Sequence, residues 1–335
     1  MGLGRRRGWR WRGARRGRAR RGDAGPGTAS PPHYNLANTL YYRDRYDASL
    51  ESAGEGLAFA RRFGDRTWES LLLTNIVAVL FLRGEWDEAL ARAGEIPGLE
   101  ELEATEEFGV LSAAVVELLL AIPQIYLARG QVTEAAEVVR QFEGFRDSAD
   151  MQARTSYAAA TCAVLRRQGR LEEALASGLQ AFEGREALGG SSFYTKLGFV
   201  EAAEAAFELG DLERVENLLE IAGAFGGGDM TPFLDAQKAR FAGRLAAARN
   251  DLDRAEREFK RATGLMREIE LPFWLAVTQL EHAEWLVEQG RPQEAKPLLV
   301  EARETFERLE VAPWVDRAAG ASLAAREPGA VIGRS

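Results

Sequence analysis

One short arrangement of polar and apolar positions recurs along the chain: a turn-forming residue, an apolar residue two positions on, and a small residue three further. It reads Asp44-Tyr46-Ser49, Gly84-Trp86-Ala89, Gly130-Val132-Ala135, Gly169-Leu171-Ala174, Gly210-Leu212-Val215, Asn250-Leu252-Ala255 and Gly290-Pro292-Ala295. The turn residues are 40, 46, 39, 41, 40 and 40 positions apart. Seven positions before each turn lies a short or compact side chain: Ala37, Val77, Pro123, Cys162, Ala203, Gly243 and Ala283. Four before each lies an apolar one: Leu40, Leu80, Tyr126, Leu165, Ala206, Ala246 and Leu286. Those offsets place one face of a first helix against a second. Gly, Asn and Asp tolerate the left-handed conformation that ends a helix and reverses the chain. The small residues let two helix backbones approach closely. The pattern predicts seven antiparallel helix hairpins.

Helix starts repeat as well. Phe193, Phe233, Phe273 and Trp314 are spaced 40, 40 and 41, and the last three follow Pro232, Pro272 and Pro313. Proline fits the first helical turn, where its missing N–H is not needed. The final Pro313-Trp314 predicts one more helix, to about Ala325, as a C-terminal cap over the exposed end of the stack. Three departures carry their own expectations. The 46-residue step contains an insert from Ile96-Pro97-Gly98 to Glu107, expected as a longer loop or a distorted helix. Pro123 falls mid-helix and should kink it. Gly226-Gly227-Gly228 should be a flexible connection between hairpins. Composition agrees: Ala, Leu, Glu and Arg dominate, and 46% of residues are hydrophobic, enough for a packed core.

Small residues at both helix-contact positions, with a turn between them, resemble the tetratricopeptide repeat over roughly residues 33–326. Family repeats have about 34 residues, so each helix here is longer. Longer repeats resemble those of large bacterial signalling ATPases and of adenylate/guanylate cyclase-like regulators. The stretches His282-Ala283-Glu284-Trp285-Leu286, Gly290-Arg291-Pro292-Gln293-Glu294-Ala295, Ala302-Arg303-Glu304-Thr305-Phe306-Glu307-Arg308-Leu309 and Pro313-Trp314 look especially like their C-terminal ends. The resemblance implies an all-α, right-handed superhelical solenoid of about seven antiparallel hairpins plus a C-terminal capping helix. The expected organisation is a disordered Arg/Gly-rich segment at 1–30, the repeat domain at 31–326 and a disordered tail at 327–335.

Charge divides the chain. Residues 1–22 hold ten arginines and no acid, and the remainder has 33 basic against 51 acidic residues, a net of −18. Such a body repels phosphate backbones, which argues against nucleic acid as its partner. Three readings of the basic head stay open. It is a disordered arm for nucleic acid or anionic lipid, or it docks on the chain's own acidic body, or it reflects a mis-called start in a GC-rich gene. The single cysteine, Cys162, rules out an intramolecular disulfide and suits a cytoplasmic protein. No apolar run reaches the roughly 20 residues of a membrane span; Val110 to Pro123 is interrupted by Ser112 and Glu117.

Catalytic constellations are missing from the sequence. There are two histidines, His33 and His282, far apart, and no HExxH or Cys/His cluster. No GxxxxGK[ST], GxGxxG after a strand, or GxSxG occurs. Neither an enzyme nor a cofactor is expected. Cys162 reads as a small hydrophobe at a helix contact, and His282 as a helix residue without a second ligand. Trp68, Trp86, Trp274, Trp285 and Trp314 read as core or helix-start residues. Acidic pairs such as Glu106-Glu107 and Glu172-Glu173 read as solvated helix faces.

The sharper expectation is a groove, because first helices line the concave surface of tetratricopeptide stacks. Counting from each turn, its open inward positions would include Tyr34, Asn38, Tyr41, Thr74, Phe81, Gln124, Arg166, Arg240, Arg244 and Glu284. Arg240 and Arg244, at i and i+4, share a face and could jointly hold a carboxylate. The bland alternative is an ordinary solvated inner face with salt bridges. The expected function is a bacterial, cytoplasmic interaction scaffold or sensor that binds a protein or peptide segment, or fused or neighbouring signalling domains. The second expectation is the regulatory part of a nucleotide-dependent ATPase or cyclase-like protein.

Overall fold

The structure, a computed structural model, describes residues 30–96 and 110–325. Its helices form seven hairpins and a terminal helix. They are α1 (Ser30–Tyr42) with α2 (Tyr46–Phe63), α3 (Arg66–Leu82) with α4 (Trp86–Ala93), α5 (Val110–Ala128) with α6 (Val132–Gln141), and α7 (Met151–Arg167) with α8 (Leu171–Glu183). A short α9 (Arg185–Leu188) precedes α10 (Phe193–Leu209) with α11 (Leu212–Gly223), α12 (Pro232–Ala248) with α13 (Leu252–Glu268), α14 (Pro272–Glu288) with α15 (Pro292–Arg308), and finally α16 (Ala312–Ala324). The chain is an all-α helical-repeat solenoid of tetratricopeptide type. The insert after Ile96, residues 1–29 and residues 326–335 lie outside the described residues. Helix α5 continues through Pro123, and Gly226-Gly227-Gly228 connects α11 to α12.

Every hairpin turn has the same chemistry. Asp44, Gly84, Gly130, Gly169, Gly210, Asn250 and Gly290 all take positive φ, between 59° and 80°. The next residue's N–H then donates back to the carbonyl of the residue four before the turn. Arg45 reaches Leu40, Glu85 reaches Leu80 and Arg291 reaches Leu286, at 2.8–2.9 Å. This closure satisfies helix-end carbonyls that would otherwise be orphaned. The predicted small contacts are buried on both sides: Ala37, Val77, Cys162, Ala203 and Ala283 before the turns, and Ser49, Ala89, Ala135, Ala174, Ala255 and Ala295 after them, all at 0% exposure. At Gly178 an added Cβ would stand 2.8 Å from the Ala202 backbone, so α8 and α10 touch backbone to backbone.

First and second helices differ in how they are covered. On α15 the buried residues are Ala295, Leu299, Ala302 and Phe306, a single stripe at helical spacing. On α14 burial runs round the helix, from Phe273 and Trp274 through Thr278, Gln279 and Glu281 to Leu286. A helix buried on all sides has a layer on each face. The second layer is the chain itself, because the solenoid closes.

Closure follows a fixed register. The first turn receives the start of the sixth hairpin: the Phe233 N–H donates to Asp44 Oδ2 at 2.7 Å. The second turn receives the start of the seventh, where a Cβ on Gly84 would lie 2.8 Å from Pro272 Cγ. The third receives α16, where a Cβ on Gly130 would lie 3.2 Å from Pro313 Cγ. Each turn thus seats the helix start five hairpins further on. Rings continue the seam: Tyr41 meets Phe193 at 5.3 Å between centroids, and Trp86 meets Phe273 at 5.2 Å. The expected terminal helix is present and covers the last hairpin. Helix α16 packs on α15 and α14 and also reaches across to α5.

Two buried polar clusters sit on the seam. Lys196 Nζ, at 0% exposure, donates to Asp44 Oδ1 at 2.5 Å and to the Tyr42 carbonyl at 2.9 Å. Lysine is rarely buried this fully without a partner. Nearby, Glu117 of α5 accepts hydrogen bonds from Tyr41 Oη at 3.2 Å and Tyr194 Oη at 2.6 Å. Burial pushes the Glu117 carboxyl up to about 7, and the tyrosine hydroxyls oppose the shift.

Candidate functional site

The inner faces of α5, α7, α10, α12, α14 and α16, with Phe81 of α3, enclose a cavity of about 190 Å³ at the centre of the closed solenoid. One wall is apolar and aromatic, formed by Phe81, Leu127, Val200, Phe273, Trp274, Val277 and Trp314. The other is a network of arginines and glutamates. Arg240, 1% exposed, donates to Glu281 through Nε at 2.7 Å and Nη2 at 2.6 Å, and to Glu204 at 2.5 Å. Arg244 reaches Glu204 at 2.9 Å and Glu281 at 3.3 Å. Arg166 reaches Glu201 at 2.8 Å and Glu208 at 2.5 Å, and the Gln124 amide donates to Glu201 at 2.7 Å. Glu284 holds Arg317 at 2.6 Å.

Burial and pairing compete at each carboxylate. At Glu204 burial pushes the carboxyl up, but Arg240, Arg244 and Arg166 outweigh it and hold the group well below the usual range. At Glu201 burial prevails over Arg166, and the pKa is raised. Such pairs survive burial only with good geometry and further hydrogen bonds. The guanidiniums also stack on rings: Arg244 Cζ lies 4.2 Å from the Phe207 centroid and Arg240 Cζ 4.8 Å from that of Phe241.

The residues expected to line a groove are divided by the structure. Phe81, Gln124, Arg166, Arg240 and Arg244 all border the cavity. Glu284 stands behind it, holding Arg317. Tyr34, Asn38 and Tyr41 lie elsewhere. Tyr34 packs against Trp68 at 5.5 Å, Asn38 accepts from Asn75 Nδ2 at 2.9 Å, and Tyr41 belongs to the Glu117 cluster. The expectation that these positions are open fails for several of them. Tyr41, Thr74, Phe81 and Arg240 are buried, and Thr74 Oγ1 donates to its own helix at the Ser70 carbonyl. The physical reason is closure, which lays a second layer of helix starts on part of the inner face. Arg240 and Arg244 do share a carboxylate, and it is the chain's own Glu204.

Sequence reasoning missed Glu201, Glu204, Glu208, Glu281, Arg167 and Arg317. A signal was present at the sixth position before each turn. There Asn38, Ala78, Gln124, Ala163, Glu204, Arg244 and Glu284 follow one another, with charge alternating along the last three. Elsewhere the bland readings describe what is seen. Cys162 is fully buried, with Sγ 3.5 Å from the Glu201 carbonyl, and burial raises its thiol pKa. His282 stacks on Phe259 and on Trp285, which also touch each other, and burial lowers its pKa to about 4. Trp86, Trp274 and Trp285 are buried, and Trp274 and Trp314 both border the cavity. Glu172 and Glu173 begin α8 on its exposed side, and Glu106-Glu107 lies outside the described residues. Among the described residues no cluster could hold a metal ion, and no helix is long and apolar enough to cross a membrane.

No protein-family model matches the chain, and no curated protein matches its sequence. Two solved structures align over most of it. One is a Rap protein complexed with Competence and Sporulation Factor, 13% identical, covering 89% of this chain and 97% of that one at a TM-score of 0.46. The other is the Rap conjugation gene regulator of the plasmid pLS20 in complex with the Phr* peptide, 12% identical, covering 92% and 100% at a TM-score of 0.46. At these values neither carries an argument about this chain, whose fold rests on its own hairpins.

Proposed function

We propose that this chain is a non-enzymatic interaction or sensor scaffold that takes a segment of a protein or peptide partner at its inner surface. The observation that carries this reading is the convergence of six inner helices on one cavity with both aromatic and charged walls. Ligand sites combine apolar surface with a few fixed polar groups in this way. The cavity has room for about one or two side chains, since whole drug-sized ligands occupy roughly 300–1,000 Å³. The remainder of a partner segment would lie across the mouth. Holding partner and ring together would also let binding alter the curvature of the stack, the geometric means by which a repeat array signals. The likeness of the last repeats to cyclase-like and ATPase regulators gains no support from the cavity and plays no part here.

A selection from a phage-displayed random peptide library on the full chain tests the reading. Selected peptides are then titrated calorimetrically against wild type and Ala163→Leu, which fills the cavity without changing charge. Binding that disappears in the variant, with far-UV circular dichroism unchanged, is the expected result. A selection that yields no binders counts against a scaffold, and binders indifferent to Ala163→Leu place the contact elsewhere.

A further inference from the structure

The charges round the cavity alternate in sign from one inner helix to the next. Arg166 and Arg167 stand on α7, Glu201, Glu204 and Glu208 on α10, Arg240 and Arg244 on α12, Glu281 and Glu284 on α14, and Arg317 on α16. Every neighbouring pair is bridged: α7 to α10 at 2.8 and 2.5 Å, α10 to α12 at 2.5 and 2.9 Å, α12 to α14 at 2.6 and 3.3 Å, and α14 to α16 at 2.6 Å. Helix α5 packs against both α7 and α16 and so fills the remaining place in the circle. Alternation calls for an acid there. Helix α5 supplies Gln124, whose amide is already turned to Glu201 at 2.7 Å.

The consequence is a cation without its counter-charge. Among the described residues Arg167 has no hydrogen-bonded or ion-paired partner, although it borders the cavity. Its Cζ lies 5.9 Å from the Trp314 ring centroid, and Arg317 Cζ lies 5.4 Å from the same ring. Partial desolvation and the neighbouring Arg166 lower the Arg167 pKa, and the more distant Glu208, Glu201 and Glu204 only partly offset them. The cavity lining has five arginines against four glutamates, and Glu284, paired with Arg317 from outside the lining, balances the count, so what sets Arg167 apart is the lack of a bonded carboxylate and not a net charge. Arg167 and Arg317 are both exposed residues, so the sector is open to solvent.

We propose that the sector between α5, α7 and α16 binds a carboxylate, with Arg167 as its partner and the Trp314 ring beneath its apolar neighbour. A singly charged planar group matches one free guanidinium fork. A doubly charged group would face Glu201 and Glu208 with no further cation to meet it. The carboxylate comes from the C-terminus of a partner peptide or from a small free acid. This deepens the scaffold reading and rests on it.

The test uses the full chain, wild type and Arg167→Gln, and fluorescence anisotropy. The probes are two matched pools of random hexapeptides, one with free C-terminal carboxylates and one with C-terminal amides, and N-acetyl-phenylalanine as a competitor and small acid. The wild type is expected to bind the free-acid pool roughly tenfold tighter than the amide pool, in line with one charge-assisted contact. Arg167→Gln should lose that preference and keep its melting temperature, since Arg167 holds nothing else in place. Equal binding of both pools by the wild type overturns the carboxylate site and leaves the scaffold standing. Unchanged preference in Arg167→Gln also overturns it. Calorimetric binding of N-acetyl-phenylalanine by the wild type and not by Arg167→Gln, with neither pool bound, keeps the carboxylate site and overturns the peptide-segment reading. No binding of any probe overturns both.

Discussion

Replacing Lys196 by Met asks how strongly the seam holds the solenoid closed. Met keeps the apolar stem and removes the ammonium. Two hydrogen bonds are lost, to Asp44 Oδ1 at 2.5 Å and to the Tyr42 carbonyl at 2.9 Å. Each hydrogen bond to a charged group contributes about 1.5–3 kcal/mol. The Asp44 carboxylate stays behind, wholly buried, with only the Tyr46 hydroxyl at 3.0 Å and the Phe233 N–H at 2.7 Å. Removing one partner of a buried pair costs about 3–5 kcal/mol, which agrees with the sum of the lost bonds. Adding Asp44→Asn removes the stranded charge. Asn accepts the left-handed backbone at this turn, φ 59°, so the hairpin itself is spared. The double variant should therefore recover much of the loss, with a coupling of roughly 1–3 kcal/mol. Urea unfolding followed by circular dichroism measures the global term. Native-state hydrogen exchange at Phe233 and Arg45 separates a local opening of the seam from global unfolding. A Lys196→Met protein with the wild-type urea midpoint and unchanged exchange at Phe233 would refute the claim that this pair holds the ring. So would a double variant no more stable than the single one.

Three further outcomes follow from the same structure. Gly84 and Gly169 have nearly the same left-handed φ, 72° and 74°, but an added Cβ meets Pro272 only at Gly84. Gly169→Ala should therefore cost about 1–2 kcal/mol for the backbone, and Gly84→Ala more, by thermal unfolding; equal losses would argue against closure. Glu117 is an acid whose folded pKa, about 7, exceeds its ordinary value, so the folded state binds the extra proton. Its contribution is present below about pH 4.5 and lost as pH rises through about 7, a change of about 3 kcal/mol at most. Glu117→Gln should abolish that part of the slope. The quantity to measure is wild type minus variant across pH, because the lowered pKa of His282 acts in the opposite sense, losing stability as pH falls from about 6.5 towards about 4. A difference curve that is flat with pH would show that Glu117 keeps its ordinary pKa. Ala255→Leu should overpack the sixth hairpin by about 1–3 kcal/mol, read as a lower melting temperature, and an unchanged one would deny the close helix contact.

The hairpins were legible because everything that makes one lies within about forty residues. A left-handed turn, an apolar seat and a small contact residue act on neighbours in the chain, and their chemistry leaves a periodic trace. The fully buried Ala283 and Ala295 could be assigned for that reason. Part of the cavity was legible too, since Phe81, Gln124, Arg166, Arg240 and Arg244 each fall on the inward face of a predicted first helix. Their partners were harder to see. Glu204 and Glu281 look like any solvated glutamate until a neighbouring helix brings an arginine within 3 Å.

Closure could not be read at all, because its contacts join residues that already have local reasons to be what they are. Asp44 is a good turn residue, and Pro232-Phe233 is a good helix start. Nothing in either says that one sits on the other across 189 positions. The sequence by itself determined the repeating unit, since backbone conformation and helix-face packing are local. The tertiary structure alone decided how tightly the units coil. Small rotations at each interface add up until the sixth hairpin meets the first, and that sum buries Lys196 and Glu117 and leaves Arg167 at the cavity with no carboxylate bonded to it among the described residues.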